Sequence, residues 1–238
     1  MGIGRFGLRL SRSRLLPPFG RCDYRVFTAQ ARVTMYVPRA FAEDRPEELR
    51  VIMQSCSLPV LVSPVTGGNG VRLVATHLPL MRKGETLVGH MARANGHWRT
   101  LDTSAESLAI FSGVNGYISQ SLYATKQTTG KVVPTWNYEA VHAYGRLEII
   151  EEPARILEVV SSLTDHHEAP RQTPWKVSDA PQEYIDAQLK AIVALVLHIT
   201  SLEGVRKLSQ NKSIEDREGV IAGQSSENPL LAAHMLRP

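Results

Sequence analysis

The chain is poor in the features that usually announce a function. Its 238 residues hold two cysteines, Cys22 and Cys56. Two unmatched positions make neither a disulfide framework nor a metal motif, so a disulfide-stapled secreted scaffold is excluded and a reducing compartment fits. Cys56 reads as a small buried filler. No apolar run reaches the ~18 residues of a membrane span; the longest candidate, Ala191 to Ile199, is far shorter and contains His198. A secretory h-region is missing as well, because Leu15-Leu16 runs at once into Pro17-Pro18. There is no Walker loop and no dinucleotide glycine fingerprint. Gly67-Gly68-Asn69-Gly70 reads as a plain hairpin turn. His77, His90 and His142 are scattered without zinc spacing and read as hydrogen-bonded structural residues. His166-His167-Glu168 falls at a helix end, where cations complement the dipole. The sequence therefore assigns no catalytic residue and no metal ligand, and it favours a non-enzymatic role.

Acidic residues are nearly missing from the first 34 positions. Seven arginines there face one acid, Asp23, for +6; the remaining twenty basic and twenty-two acidic residues give −2. The pI of about 9.2 thus belongs to the extension, and overall charge is no argument for nucleic-acid binding. Arginine-rich, serine-containing and acid-poor, residues 1–34 are expected to be a disordered extension, arising from a start assigned too far upstream or from a transit-like segment. The compartment is then the cytoplasm, or an organelle if the extension is a true transit peptide.

What is present is the composition of a globular domain, 43% hydrophobic and 21% charged. Pro46 followed by Glu47 and Glu48 predicts a helix over 45–54. Strands are expected over 58–65, 71–78, 86–90 and 108–112, with a short helix or turn over 92–101. Two further strands are expected from about Val132 and Val141, and a last long one over 192–200. Helices are expected over 153–166, 181–190, 213–222 and 229–236. Many short strands with helices inserted late do not fit a doubly wound α/β pattern. A small antiparallel barrel with peripheral helices fits better.

The run Gly130-Lys131-Val132-Val133-Pro134-Thr135-Trp136-Asn137-Tyr138 carries a cation, a hydroxyl, an indole, an amide and a phenol. A core strand does not normally collect so many hydrogen-bonding heads, because each buried one needs a partner. The run reads as a strand that lines a polar pocket, with Pro134 at an edge or strand end.

Together with Gly89-His90-Met91-Ala92-Arg93-Ala94-Asn95, Tyr117-Ile118-Ser119 and Leu202-Glu203-Gly204 through Lys207-Leu208-Ser209-Gln210-Asn211, this run resembles the PaiB family of FMN-binding negative transcriptional regulators. The opening Met35-Tyr36-Val37-Pro38 is similar to that family's usual start. The resemblance spans about Met35 to Gly223. It implies an antiparallel split β-barrel of the flavin-reductase or pyridoxamine-phosphate-oxidase type over 35–223, with 224–238 as a tail or short helix. It implies a homodimer, FMN as cofactor, and DNA as a partner through the family description only. A flavin-dependent oxidoreductase of the pyridoxamine-phosphate-oxidase-like class is the alternative.

A flavin phosphate wants Lys or Arg with hydroxyls or backbone N–H groups, and its ring wants an aromatic face with a few donors. Three groups supply these types: Lys131, Thr135, Trp136 and Asn137; Ser119, Ser121 and Lys126; Lys207, Ser209 and Gln210. The chain departs from the family twice. Gln120-Ser121-Leu122-Tyr123-Ala124-Thr125-Lys126 stands where the usual pattern resembles Pro-Ser-Trp-Tyr-Pro-Ser-Lys, and Val205-Arg206 replaces a Lys followed by an aromatic. The losses remove rigid turns, an aromatic face and one cation, which weakens the flavin expectation.

Overall fold

The computed structural model describes residues 35–56, 58–67 and 70–237. The basic extension expected over 1–34 lies outside the described residues. A single compact unit begins at Met35. Its strands are β1 (Ala42–Glu43), β2 (Val60–Gly67), β3 (Gly70–His77), β4 (Met81–Lys83), β5 (Thr86–Ala92), β6 (Glu106–Ile118), β7 (Thr135–Ile150) and β8 (Ile192–Lys207). They form one antiparallel sheet in the order β3-β2-β6-β7-β8-β5-β4. β8 is long enough to serve two partners on one edge: residues 192–198 pair with β5, and Gly204 and Val205 pair with β1.

The helices are α1 (Pro46–Ser55), α2 (His97–Thr100), α3 (Thr125–Thr128), α4 (Pro153–Glu168), α5 (Gln182–Lys190), α6 (Ile214–Glu227) and α7 (Pro229–Leu236). α1 starts as the sequence predicts, with Pro46 in its first turn followed by Glu47 and Glu48, and it buries Leu49, Ile52 and Met53 at helical spacing. These side chains join Leu61, Phe111, Val141, Leu195 and Leu197 in the barrel core. α4 and α5 cover a second cluster on the far face of β5 and β8, around Ile150, Ile156, Ile185 and Val196. α6 and α7 close a third cluster built on Val114, Ile118, Tyr123, Leu208, Val220, Leu231 and Met235. Residues 224–237, expected as a tail or short helix, complete α6 and form α7, which buries Leu231, Ala232 and Met235.

Two expectations about strands are corrected. The strands expected from Val132 and Val141 are one sixteen-residue strand, β7, that starts only at Thr135. Pro134 lacks the N–H needed for a ladder bond, and Gly130 ahead of it turns the chain at φ 66°. Likewise β8 runs on from Thr200 to Lys207. Charged residues that look like strand ends, Glu139 and Arg206, lie opposite each other in the β7–β8 register and satisfy one another inside. A register shift at Tyr144 and Gly145 bends this pair. A Cβ on Gly145 would meet the His198 carbonyl oxygen at 2.3 Å, so the close approach requires glycine.

Candidate functional site

Antiparallel pairing brings the ends of β6 and β8 to the start of β7. Ile118 faces Thr135, and Tyr138 faces Lys207. The Lys207 ammonium donates to the Thr135 hydroxyl at 2.7 Å. The Asn137 amide donates to the Ser209 hydroxyl at 2.9 Å. The first and third sequence groups are therefore in direct contact. The second joins through the backbone, because Ser119 follows Ile118.

The ten residues play different parts. Asn137 is fully buried and Ser209 nearly so; both lie beneath the surface. Ser209 holds the left-handed φ of 62°, unusual for a residue with a Cβ. Gln210 fixes this turn, accepting from the Leu208 N–H at 2.7 Å and donating to the Arg206 carbonyl. Ser119 caps the turn Gln120–Leu122, its hydroxyl 2.8 Å from that of Ser121. Lys126, Lys131 and Ser121 are exposed. Trp136 is 50% exposed, donates to the Asn115 side chain at 3.3 Å, and has Tyr117 beside it at 6.2 Å between ring centroids.

The altered segment over 120–126 is locked onto α6. Thr125 donates its N–H and hydroxyl to Asp216 at 2.8 and 2.9 Å. Leu122 sits in a notch that only Gly219 and Gly223 leave open, since a Cβ at either would meet it within 2.4 Å. Tyr123 is buried beneath the Lys212 ammonium, 5.1 Å from its ring centroid. Burial, and then the charge of Asp216, hold the Tyr123 phenol above its ordinary range, and its hydroxyl has no hydrogen-bond partner among the described residues.

Sequence reasoning missed a buried ion cluster next to this site. Arg206 reaches Glu139 at 3.0 Å, Glu48 at 3.4 Å and Glu43 at 3.5 Å. His234 of α7 holds the other Glu139 oxygen at 2.7 Å, and Arg237 holds Glu48. The available signal was Arg206 itself, a cation where the family pattern has an aromatic. A cavity of about 490 Å³ adjoins the cluster, and of the ten sequence-derived residues only Gln210 lines it.

Among the described residues, the centre of the other face of β6, β7 and β8 contributes no side chain to the three buried clusters. Leu108, Ile110, Tyr138, His142 and Tyr144 are half-buried there, with Tyr117 and Trp136 exposed at its end. His142 and His90 each keep a buried Nδ1 without a partner. Burial holds both imidazoles below the ordinary range, with Glu203 partly offsetting this at His142. Among the described residues no cluster of His, Cys, Asp and Glu could hold a metal ion, and no helix is long and apolar enough to cross a membrane.

A sequence model of the family described as "Putative FMN-binding domain" matches residues 35–201. Protease synthase and sporulation protein PAI 2 of Bacillus subtilis is 32% identical over 82% of this chain and 92% of that protein. The chain belongs to the PaiB family. An uncharacterized protein of Aspergillus fumigatus is 31% identical over 79% of this chain and 90% of its own length. Among solved structures, the FAD and heme binding protein of Mycobacterium smegmatis superposes with a TM-score of 0.52 at 17% identity, covering 76% of this chain and 80% of that one. The flavocytochrome Anf3 of Azotobacter vinelandii gives 0.51 at 19% identity, covering 72% of each. These likenesses show the fold, an antiparallel split barrel with peripheral helices. FMN, or a related flavin, is the cofactor of the family.

Proposed function

We propose that this protein is a homodimeric FMN-binding regulator of the PaiB type, its flavin held where β6 and β8 end and β7 begins. The convergence of the three motif groups at that end carries the reading. The residues fit the group: Lys126 and Lys131 are exposed cations for the phosphate, Thr135 and Lys207 form a polar floor, and Trp136 beside Tyr117 offers an aromatic face. Asn137, Ser209 and Gln210 act from beneath by fixing the turn. A bound flavin supplies reversible redox chemistry; this chain's residues bind and orient it.

A second copy completes the site. The half-buried face bearing Leu108, Ile110, Tyr138, His142 and Tyr144 is continuous with Trp136, and a two-fold axis would pack this self-complementary patch and shelter a ligand at its edge. DNA contact has weaker support. The described part of the chain is slightly acidic, and in α6 Arg217 is flanked by Glu215, Asp216 and Glu218.

The test is a flavin titration with light scattering on the same sample. Quenching of FMN fluorescence at micromolar protein, in a species of dimer mass, supports the reading. A monomer that leaves tens of micromolar FMN unquenched overturns it. A nicotinamide-driven reductase assay and a DNA shift at stated salt then separate enzyme from regulator.

A further inference from the structure

A smaller cavity, about 290 Å³, lies at a different place on the barrel. Its floor is the core: Met53 of α1, Leu80 ahead of β4, and Phe111 of β6, all buried. Its rim carries two guanidinium groups, Arg50 and Arg82, and two imidazoles, His166 and His167. No carboxylate lines it. Arg50 forms no ion pair among the described residues, while the Arg82 Nε donates to the Gly84 carbonyl at 3.0 Å and its Nη2 meets the exposed Glu85 carboxylate at 3.4 Å, which fixes its guanidinium at the mouth. Phe111 stands seven residues before Ile118, or about 23 Å along an extended strand, so this cavity is separate from the flavin end of the sheet and independent of that reading.

An apolar floor under a one-sign rim selects a particular ligand chemistry. Buried hydrocarbon gains from a flat apolar body, and the guanidinium groups want an oxyanion at the opening. With no acid in the lining, and Glu85 meeting Arg82 only from the solvent side, the arginines concentrate anions at the mouth. The volume sits at the lower edge of the roughly 300–1,000 Å³ of small-molecule sites, which suits a single ring. We propose that the cavity binds a small amphipathic anion of the aromatic monocarboxylate class, ring toward Phe111 and Leu80, carboxylate between Arg50 and Arg82. The histidine pair at the end of α4 forms part of this rim.

Cys56 supplies the readout. It lines the cavity, is half-buried, and is the sole free thiol among the described residues. Alkylation of the Cys56 peptide by iodoacetamide, followed by mass spectrometry on the full chain, is measured with benzoate, with benzamide as the neutral isostere, and with inorganic phosphate. Benzoate at millimolar concentration is expected to slow alkylation, whereas benzamide and phosphate leave the rate unchanged. Arg50→Gln should raise the half-protecting benzoate concentration about tenfold, the worth of one charge-assisted contact, without changing the unprotected rate. Arg50 is exposed and forms no ion pair among the described residues, so this variant is expected to fold. Equal protection by benzamide, equal protection by phosphate, or no protection by benzoate into tens of millimolar each overturns the proposal.

Discussion

The Lys207 ammonium sits 2.7 Å from the Thr135 hydroxyl, and that bond joins motifs seventy-two residues apart in the chain. Lys126 and Lys131 are exposed. Lys131→Ala is therefore expected to leave thermal stability unchanged within about 0.5 kcal/mol. FMN affinity should fall about tenfold to a hundredfold, from a lost contact of roughly 1.5–3 kcal/mol. Fluorescence titration checks this; unchanged affinity would place the phosphate elsewhere.

Trp136 lies half in solvent. Its truncation should behave as a surface change, with a cost under about 1 kcal/mol. Phe111→Ala, by contrast, removes a ring that is 1% exposed in the barrel core and should cost about 3–5 kcal/mol. Urea unfolding separates the two. If Trp136 faces a flavin, its variant loses FMN quenching at near-normal stability.

Much of this arrangement was legible in the chain. Pro46 with its two acids marks α1, and the apolar stripe of Ile156 and Leu163 marks α4. Thr135 and Lys207 meet because antiparallel strands bring distant segments to a common end. The length of β7 and β8 was not legible. Glu139 and Arg206 look like surface residues locally, and only their cross-strand register makes them interior. The part played by Asn137 was hidden for the same reason: its partner Ser209 lies on another strand's exit.

Arg206 should be the most sensitive charged position. Its side chain is 8% exposed, and the Glu139 side chain opposite is fully buried. Arg206→Met leaves Glu139, Glu43 and Glu48 short of a partner, and breaking a buried pair in this way costs about 3–5 kcal/mol. Glu139→Gln in the same chain removes the stranded charge and should recover part of the loss. Thermal midpoints of the single and double variants test the coupling. Additive losses would show that the pair acts independently.

Stability should fall on acidification in two separate windows. His90, His97 and His142 are held below the ordinary imidazole value of 6.5 by burial. Below that value the unfolded chain binds protons that the folded chain refuses, so stability declines as pH drops through 6.5, by at most about 1.4 kcal/mol per pH unit for each group. Glu43 behaves differently. Burial raises its carboxyl, but hydrogen bonds from the Arg45 side chain and backbone, with the charges of Arg45 and Arg206, bring the net below the ordinary 4.5. Its contribution is complete above 4.5 and is lost as pH falls through the lower folded value. Thermal midpoints taken from pH 8 to pH 3 should thus begin to fall below 6.5 and take a further fall below 4.5. His142→Gln removes one imidazole from the upper window and should flatten that slope alone. An unchanged upper slope in this variant would show that His142 titrates alike in the folded and unfolded chain.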